Sequence, residues 1–187
     1  YGKASIITAT NVFAHIDNIR DFVSGISSFL DKQGVFIIEF PYLKNMLDEN
    51  LFDIIYHEHL SYLSITPLSY LFSLYNLKIF DIEKVNVGAS GPGLRVFISH
   101  KESNFIVSQS VNQYINLEKK LNYKQLEPYK NFSKNVSLIK EKILQLINDL
   151  NSSKNIVGAF GAPAKGNTML NYLKADNNLI IAVADNT

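Results

Sequence analysis

Val35-Phe36-Ile37-Ile38-Glu39-Phe40-Pro41 is an apolar, β-branched and aromatic run ended by proline, the pattern of a buried strand. Upstream, Gly34 closes a connection from a segment over 19–30 whose Phe22, Val23, Ile26, Phe29 and Leu30 recur at helical spacing, with Asp17 or Asn18 in place to cap it. Before that helix, residues 4–10 form a second short apolar run. Strand, helix and strand in that order predict a right-handed crossover and a parallel sheet. Asn11-Val12-Phe13-Ala14-His15 then falls at the carboxyl end of the first strand, where open α/β sheets place their ligands.

Downstream of Pro41 lies the densest group of chemical side chains, Phe52-Asp53-Ile54-Ile55-Tyr56-His57-Glu58-His59-Leu60-Ser61-Tyr62. Two imidazoles, a carboxylate and a phenol occupy four consecutive positions, 56–59. Three uses suit such a set. His-x-His on a strand would present two rings for a metal, with His15 and His100 as the other imidazoles. Polar residues also gather in loops without a task. Proton transfer suits the set best, because imidazole titrates near neutrality and a neighbouring carboxylate can fix its tautomer.

After the cluster, Thr66-Pro67 can cap and open a helix over 68–76. Residues 78–86 alternate as a strand with two different faces, Gly88-Ala89-Ser90-Gly91-Pro92-Gly93 is a tight turn, and 94–99 is a further strand. A turn this short makes the pair antiparallel. From 108 to 150 the chain becomes long and helical, with Leu138, Ile139, Ile143, Leu146 and Ile147 at helical spacing. Strand signals return over 155–160 and 179–184, flanking a helix over 165–173. The glycine-rich turn Gly158-Ala159-Phe160-Gly161-Ala162-Pro163-Ala164-Lys165-Gly166-Asn167 precedes that helix, whose N-terminus favours an anion. The expected organisation is an α/β sheet domain over 1–102, a helical connector over 103–150, and the start of a second α/β domain over 151–187.

Composition bounds the function. The 187 residues are 47% hydrophobic and 12% aromatic, a globular content. Eighteen basic against seventeen acidic residues leave a net charge of +1 and no basic stripe, so no nucleic-acid partner is expected. The absence of cysteine removes thiolate metal sites from this chain. No stretch approaches the ~18 uncharged apolar residues of a membrane span and no signal peptide opens the chain, so a cytoplasmic protein is expected. Tyr1 at the start and a strand at the end suggest a piece of a longer protein.

Asn11-Val-Phe-Ala-His15, Glu39-Phe-Pro-Tyr42-Leu, Tyr56-x-Glu58-His59, Gly93-Leu-Arg95 and Gly161-Ala-x-Ala-Lys165-Gly-Asn-Thr occur in an order that resembles the S-adenosylmethionine-dependent sugar C-methyltransferases. The most specific element is Tyr-x-Glu-His with a histidine 41 residues before its tyrosine. Members act on nucleotide-linked 4-keto-deoxysugars and carry a zinc domain, a Rossmann methyltransferase domain and a second Rossmann-like domain. The resemblance implies that this chain begins at the fourth strand of the methyltransferase sheet, without the zinc domain or the glycine-rich cofactor loop. It implies His59 as general base, Tyr56 and Glu58 in support, and His15 either at the developing enolate oxygen or helping to shuttle the proton. Asn11 would lie near S-adenosylmethionine, while Glu39, Tyr42, Arg95, Lys165 and Asn167 would meet the nucleotide-sugar. The chain departs from the family at 88–93, where a His-Gly-Gly turn is usual. A nucleotide-sugar binding module and a metal enzyme built on His57 and His59 remain the competing functions.

Overall fold

The computed structural model describes residues 2–86, 88 and 91–186. Two compact units emerge, the first made of Tyr1–Glu49 with Glu58–Pro128 and the second of Asn50–His57 with Tyr129–Thr187.

The first unit is a mixed α/β layer around a four-stranded sheet. Its elements are β1 (Ala4–Thr10), a 3₁₀ turn (Phe13–His15), α1 (Ile19–Phe29), β2 (Leu30–Pro41), α2 (Leu43–Asp48), α3 (Ile65–Ser73), β3 (Leu77–Asn86), β4 (Pro92–His100) and α4 (Gln109–Leu121). The strands lie in the order β1-β2-β4-β3. β1 and β2 run parallel, and β4 is antiparallel to both β2 and β3. The expected parallel pair and antiparallel hairpin are present, and the second hairpin strand inserts beside β2. Val87, Ala89 and Ser90 of the expected 88–93 turn lie outside the described residues.

One face of the sheet is the core. Phe36, Ile38 and Phe40 of β2, Leu94, Val96 and Ile98 of β4, and Leu77, Ile79 and Ile82 of β3 pack with Val23 and Ile26 of α1 and Leu68 and Phe72 of α3. Phe13, Phe22, Phe36 and Phe72 interlock with ring centroids 5.9 to 6.4 Å apart in tilted and edge-on pairs. On the opposite face Glu39, Arg95 and Glu83 sit in register across three strands.

Regular pairing of β1 with β2 begins at Ile6↔Val35, because the register shifts after Ala4↔Leu30. Gly34 sits inside that shift. A Cβ there would lie 2.8 Å from the Ala4 carbonyl oxygen and 2.8 Å from Leu30 Cδ1. Gly34→Ala is therefore expected to cost about 1–3 kcal/mol, the range for overpacking a fixed site. Urea denaturation checks this, and an unchanged midpoint would contradict the close approach.

β3 does not keep the simple alternation expected of it. The register shifts between Ile79 and Asp81, so Ile79 and Ile82 are both buried. Asp81 Oδ1 holds the irregularity by accepting from Ser108 Oγ (2.6 Å), Ser110 Oγ (2.8 Å) and the Ile82 amide (2.9 Å). The Ser108 hydrogen bond leads in keeping the Asp81 carboxyl below its ordinary value. Ser108 also caps α4 through the Ser110 amide, so α4 is fastened to β3. α4 accordingly falls within the first compact unit, which runs on to Pro128.

The second unit contains a 3₁₀ turn (Phe52–Ile54), all but the first two residues of α5 (Glu127–Ser152), β5 (Ala159–Phe160), α6 (Ala164–Leu173) and β6 (Val183–Ala184). β5 and β6 pair in parallel, a strand-helix-strand arrangement with strands shorter than expected. The Phe52 and Tyr172 rings lie 5.1 Å apart, and Lys140 Nζ sits 4.9 Å above Tyr172.

Candidate functional site

His15 ends the 3₁₀ turn that follows β1. Asn11 takes a left-handed conformation (φ 55°), an option open to asparagine, and its amide donates to the Glu39 carbonyl at 3.0 Å. This bond ties together the carboxyl ends of the two parallel strands. Phe13 and Ala14 then turn into the core, leaving His15 exposed.

The segment after β2 returns to the same place. The Leu60 and Ser61 amides both donate to the Ala14 carbonyl, at 3.0 and 3.2 Å. His59 immediately precedes them, and its ring centroid comes within 4.9 Å of that of His15, with the planes inclined at 54°. Two imidazoles distant in sequence thus meet beside the strand ends where a ligand is expected. A neutral ring here can accept a proton, and its neighbour can donate a hydrogen bond to an oxygen.

The remaining candidates divide. Glu58 is exposed in a turn of the first unit. Tyr56 and His57 belong to the second unit, where their rings lie 6.2 Å apart. Residues 55–61 form turns and irregular backbone, so the strand geometry that would place His57 and His59 on one face for a metal is not adopted. Among the described residues, no group of three or more His, Cys, Asp or Glu side chains could hold a metal ion.

Glu39 and Arg95 are brought together. Arg95 Nε donates to Glu39 Oε1 at 2.6 Å and Nη1 to Glu83 Oε2 at 3.2 Å. The Glu39 hydrogen bond leads in holding the guanidinium above its ordinary pKa. In the second unit Lys165 Nζ lies 4.0 Å from Asp53 Oδ2, and Asn167 Oδ1 accepts from Asn171 Nδ2 at 2.8 Å. Both stand in the first turn of α6, after Gly161 with φ +89°.

Tyr42, expected to touch the substrate, is turned inward instead. It is 2% exposed and donates its hydroxyl to Glu118 Oε1 at 3.0 Å. The reason is the phase of β2: burying Phe36, Ile38 and Phe40 buries the next alternate residue too. Glu118 itself was not among the expected site residues. Its signal was legible, since Val111, Tyr114, Ile115 and Glu118 fall at i, i+3, i+4 and i+7 of one helix.

Three comparisons bear on identity. Residues 88–187 match the family described as C-methyltransferase C-terminal domain. The chain is 29% identical over 170 residues to the C-methyltransferase NovU of Streptomyces niveus, an alignment covering 91% of this chain and 40% of NovU. The chain thus spans about two fifths of the length of that curated relative. Among solved structures, a chain of the complex between the Haloferax volcanii Trm112 methyltransferase activator and a methyltransferase is similar at TM-score 0.39 and 11% identity, over 52% of this chain and 54% of that one. A likeness that low carries no weight here. The family match extends over more than half of the sequence and takes in the end of the sheet unit and all of α4, α5 and α6. On that match, the chain belongs to the C-methyltransferase C-terminal domain family.

Proposed function

We propose that the full-length protein transfers a methyl group from S-adenosylmethionine to the carbon beside the ketone of a nucleotide-linked keto-deoxysugar. The observation that carries this is the His15–His59 pair at the carboxyl ends of β1 and β2. Family membership supplies the methyl transfer, and the sugar rests on the resemblance of the Tyr56-x-Glu58-His59 element. On the same footing, the first unit is part of a Rossmann-like methyltransferase domain, and α6 with its two strands opens a second Rossmann-like domain.

His59, as the neutral ring, accepts the proton from the carbon next to the ketone. The electron pair of that C–H bond moves into the new carbon–carbon double bond, and negative charge develops on the carbonyl oxygen. His15 donates a hydrogen bond to this oxygen, a contribution largest when the charge is greatest. Glu58 and Tyr56 orient the sugar. Asn11 is exposed at the end of β1, and its side chain would lie near S-adenosylmethionine. That cofactor, when bound, supplies an electrophilic methyl group. Holding the sugar fixed beside the bound cofactor would contribute much of the rate. Within the first unit, the paired Glu39 and Arg95 are assigned to the nucleotide-sugar; within the second, Lys165 and Asn167 in the first turn of α6 are assigned by the same resemblance to a nucleotide phosphate.

No helix among the described residues is long and apolar enough to cross a membrane. We assign the enzyme to the cytoplasm, where nucleotide-sugars are made.

The test is the position of the transferred methyl. Full-length protein, a thymidine-diphosphate-linked 4-keto-deoxysugar and S-adenosylmethionine labelled in its methyl group should give a product with label bonded to carbon. Label bonded to oxygen, or none transferred, would contradict the proposal.

A further inference from the structure

Glu118 lies on α4, 4% exposed, and is satisfied by three donors. Tyr42 Oη donates to Oε1 at 3.0 Å, the Ile65 amide to Oε1 at 2.6 Å, and the Thr66 amide to Oε2 at 2.7 Å. Ile65 and Thr66 are the first two residues of α3, whose N-cap residue Ser64 makes no side-chain cap. A carboxylate from another helix therefore does the capping, with charge-assisted bonds to amides that the helix leaves free. Burial, followed by the charge of Glu118, pushes the Tyr42 hydroxyl far above its ordinary value, so it remains a donor. The Tyr114 ring packs edge-on against Tyr42 at 5.7 Å and closes the group.

The two things Glu118 holds are the two ends of one excursion of the chain. Tyr42 is the first residue after β2, and Ile65 is where the chain re-enters regular structure. A bridge between Tyr42 and Leu63 and the bond from the Leu43 amide to the Leu63 carbonyl, 3.0 Å, close the same neck. On its far side the returning segment is fastened at Leu60 and Ser61 to Ala14. His59 therefore hangs from a short segment, with Ala14 holding one end and Glu118 the other.

We infer that Glu118 is a positioning residue for methyl transfer, holding the neck at Tyr42 and Ile65 so that His59 stays against His15. This rests on His59 being the base. Glu118 touches no reacting atom and acts only through the segment that carries the ring. A carboxylate retained for stability alone would be a weak device, since burying a charge offsets much of what its bonds contribute.

The test is a double-mutant cycle on the full-length enzyme. The readout is exchange of the proton beside the ketone of a thymidine-diphosphate-linked 4-keto-deoxysugar in deuterated water. Glu118→Gln should slow exchange about 10- to 100-fold, the size of a small misplacement at a reacting centre. Affinity for S-adenosylmethionine should stay within about twofold, because Asn11 is untouched. On a His59→Asn background, Glu118→Gln should have no further effect. An equal loss on both backgrounds, or wild-type exchange in folded Glu118→Gln, overturns the inference and leaves His59 as the base. Wild-type exchange in His59→Asn alone overturns the base assignment and the inference with it. Should Glu118→Gln not fold, Tyr42→Phe removes one of the three bonds and leaves the cap. It is judged by the same two comparisons.

Discussion

His59→Asn in the full-length enzyme is expected to lower kcat by about 10²- to 10⁴-fold, the usual contribution of a general base. Asparagine keeps a polar side chain of comparable size but cannot take the proton. Affinity for S-adenosylmethionine should hardly change, since the ring is assigned to the sugar. The backbone that carries residue 59 should also survive, because the Leu60 and Ser61 amides, not the imidazole, fasten it to Ala14. His57→Asn provides the contrast. His57 is exposed and grouped with the second unit, so its loss should leave kcat within a fewfold of wild type. A large loss at His57 and none at His59 would reverse the assignment.

Phe13→Ala should be the most damaging single change to the fold among the residues next to the site. Phe13 is fully buried and meets Phe22, Phe36 and Phe72 at once. Removing a buried ring takes away its transfer free energy and leaves a cavity that the sheet cannot close, which costs about 3–5 kcal/mol. Phe13→Leu keeps most of the volume and should cost about 1.5 kcal/mol or less. Because Phe13 lies two residues before His15 in the same turn, activity should fall alongside stability in the alanine variant. Urea denaturation of both variants checks the energies. An alanine variant within about 1 kcal/mol of wild type would mean that the aromatic group does not anchor the turn.

Much of this was readable from residue spacing. β1, α1, β2 and the hairpin show their period in single segments, and His15 at a strand end was expected to face the cluster that follows the next strand. The structure places its ring 4.9 Å from that of His59. What escaped depends on partners distant in sequence. The helix expected from Leu68 begins at Ile65, since Glu118 caps the Ile65 and Thr66 amides from 53 and 52 residues away and Pro67 is tolerated within the first turn. The irregularity in β3 depends on Ser108 and Ser110, 27 and 29 residues beyond Asp81. Insertion of β4 between β2 and β3 is a choice among pairings that no local period encodes. Tyr42 is the opposite case. Its inward orientation follows from the alternation of Phe36, Ile38 and Phe40.

Proton exchange in the absence of cofactor isolates the central claim from methyl transfer. Full-length enzyme is incubated in deuterated water with a thymidine-diphosphate-linked 4-keto-deoxysugar and no S-adenosylmethionine, and the proton beside the ketone is followed by NMR. Wild type should exchange it, and His59→Asn should do so about 10²- to 10⁴-fold more slowly. If the variant exchanges that proton as fast as wild type while methylation is lost, His59 is not the base.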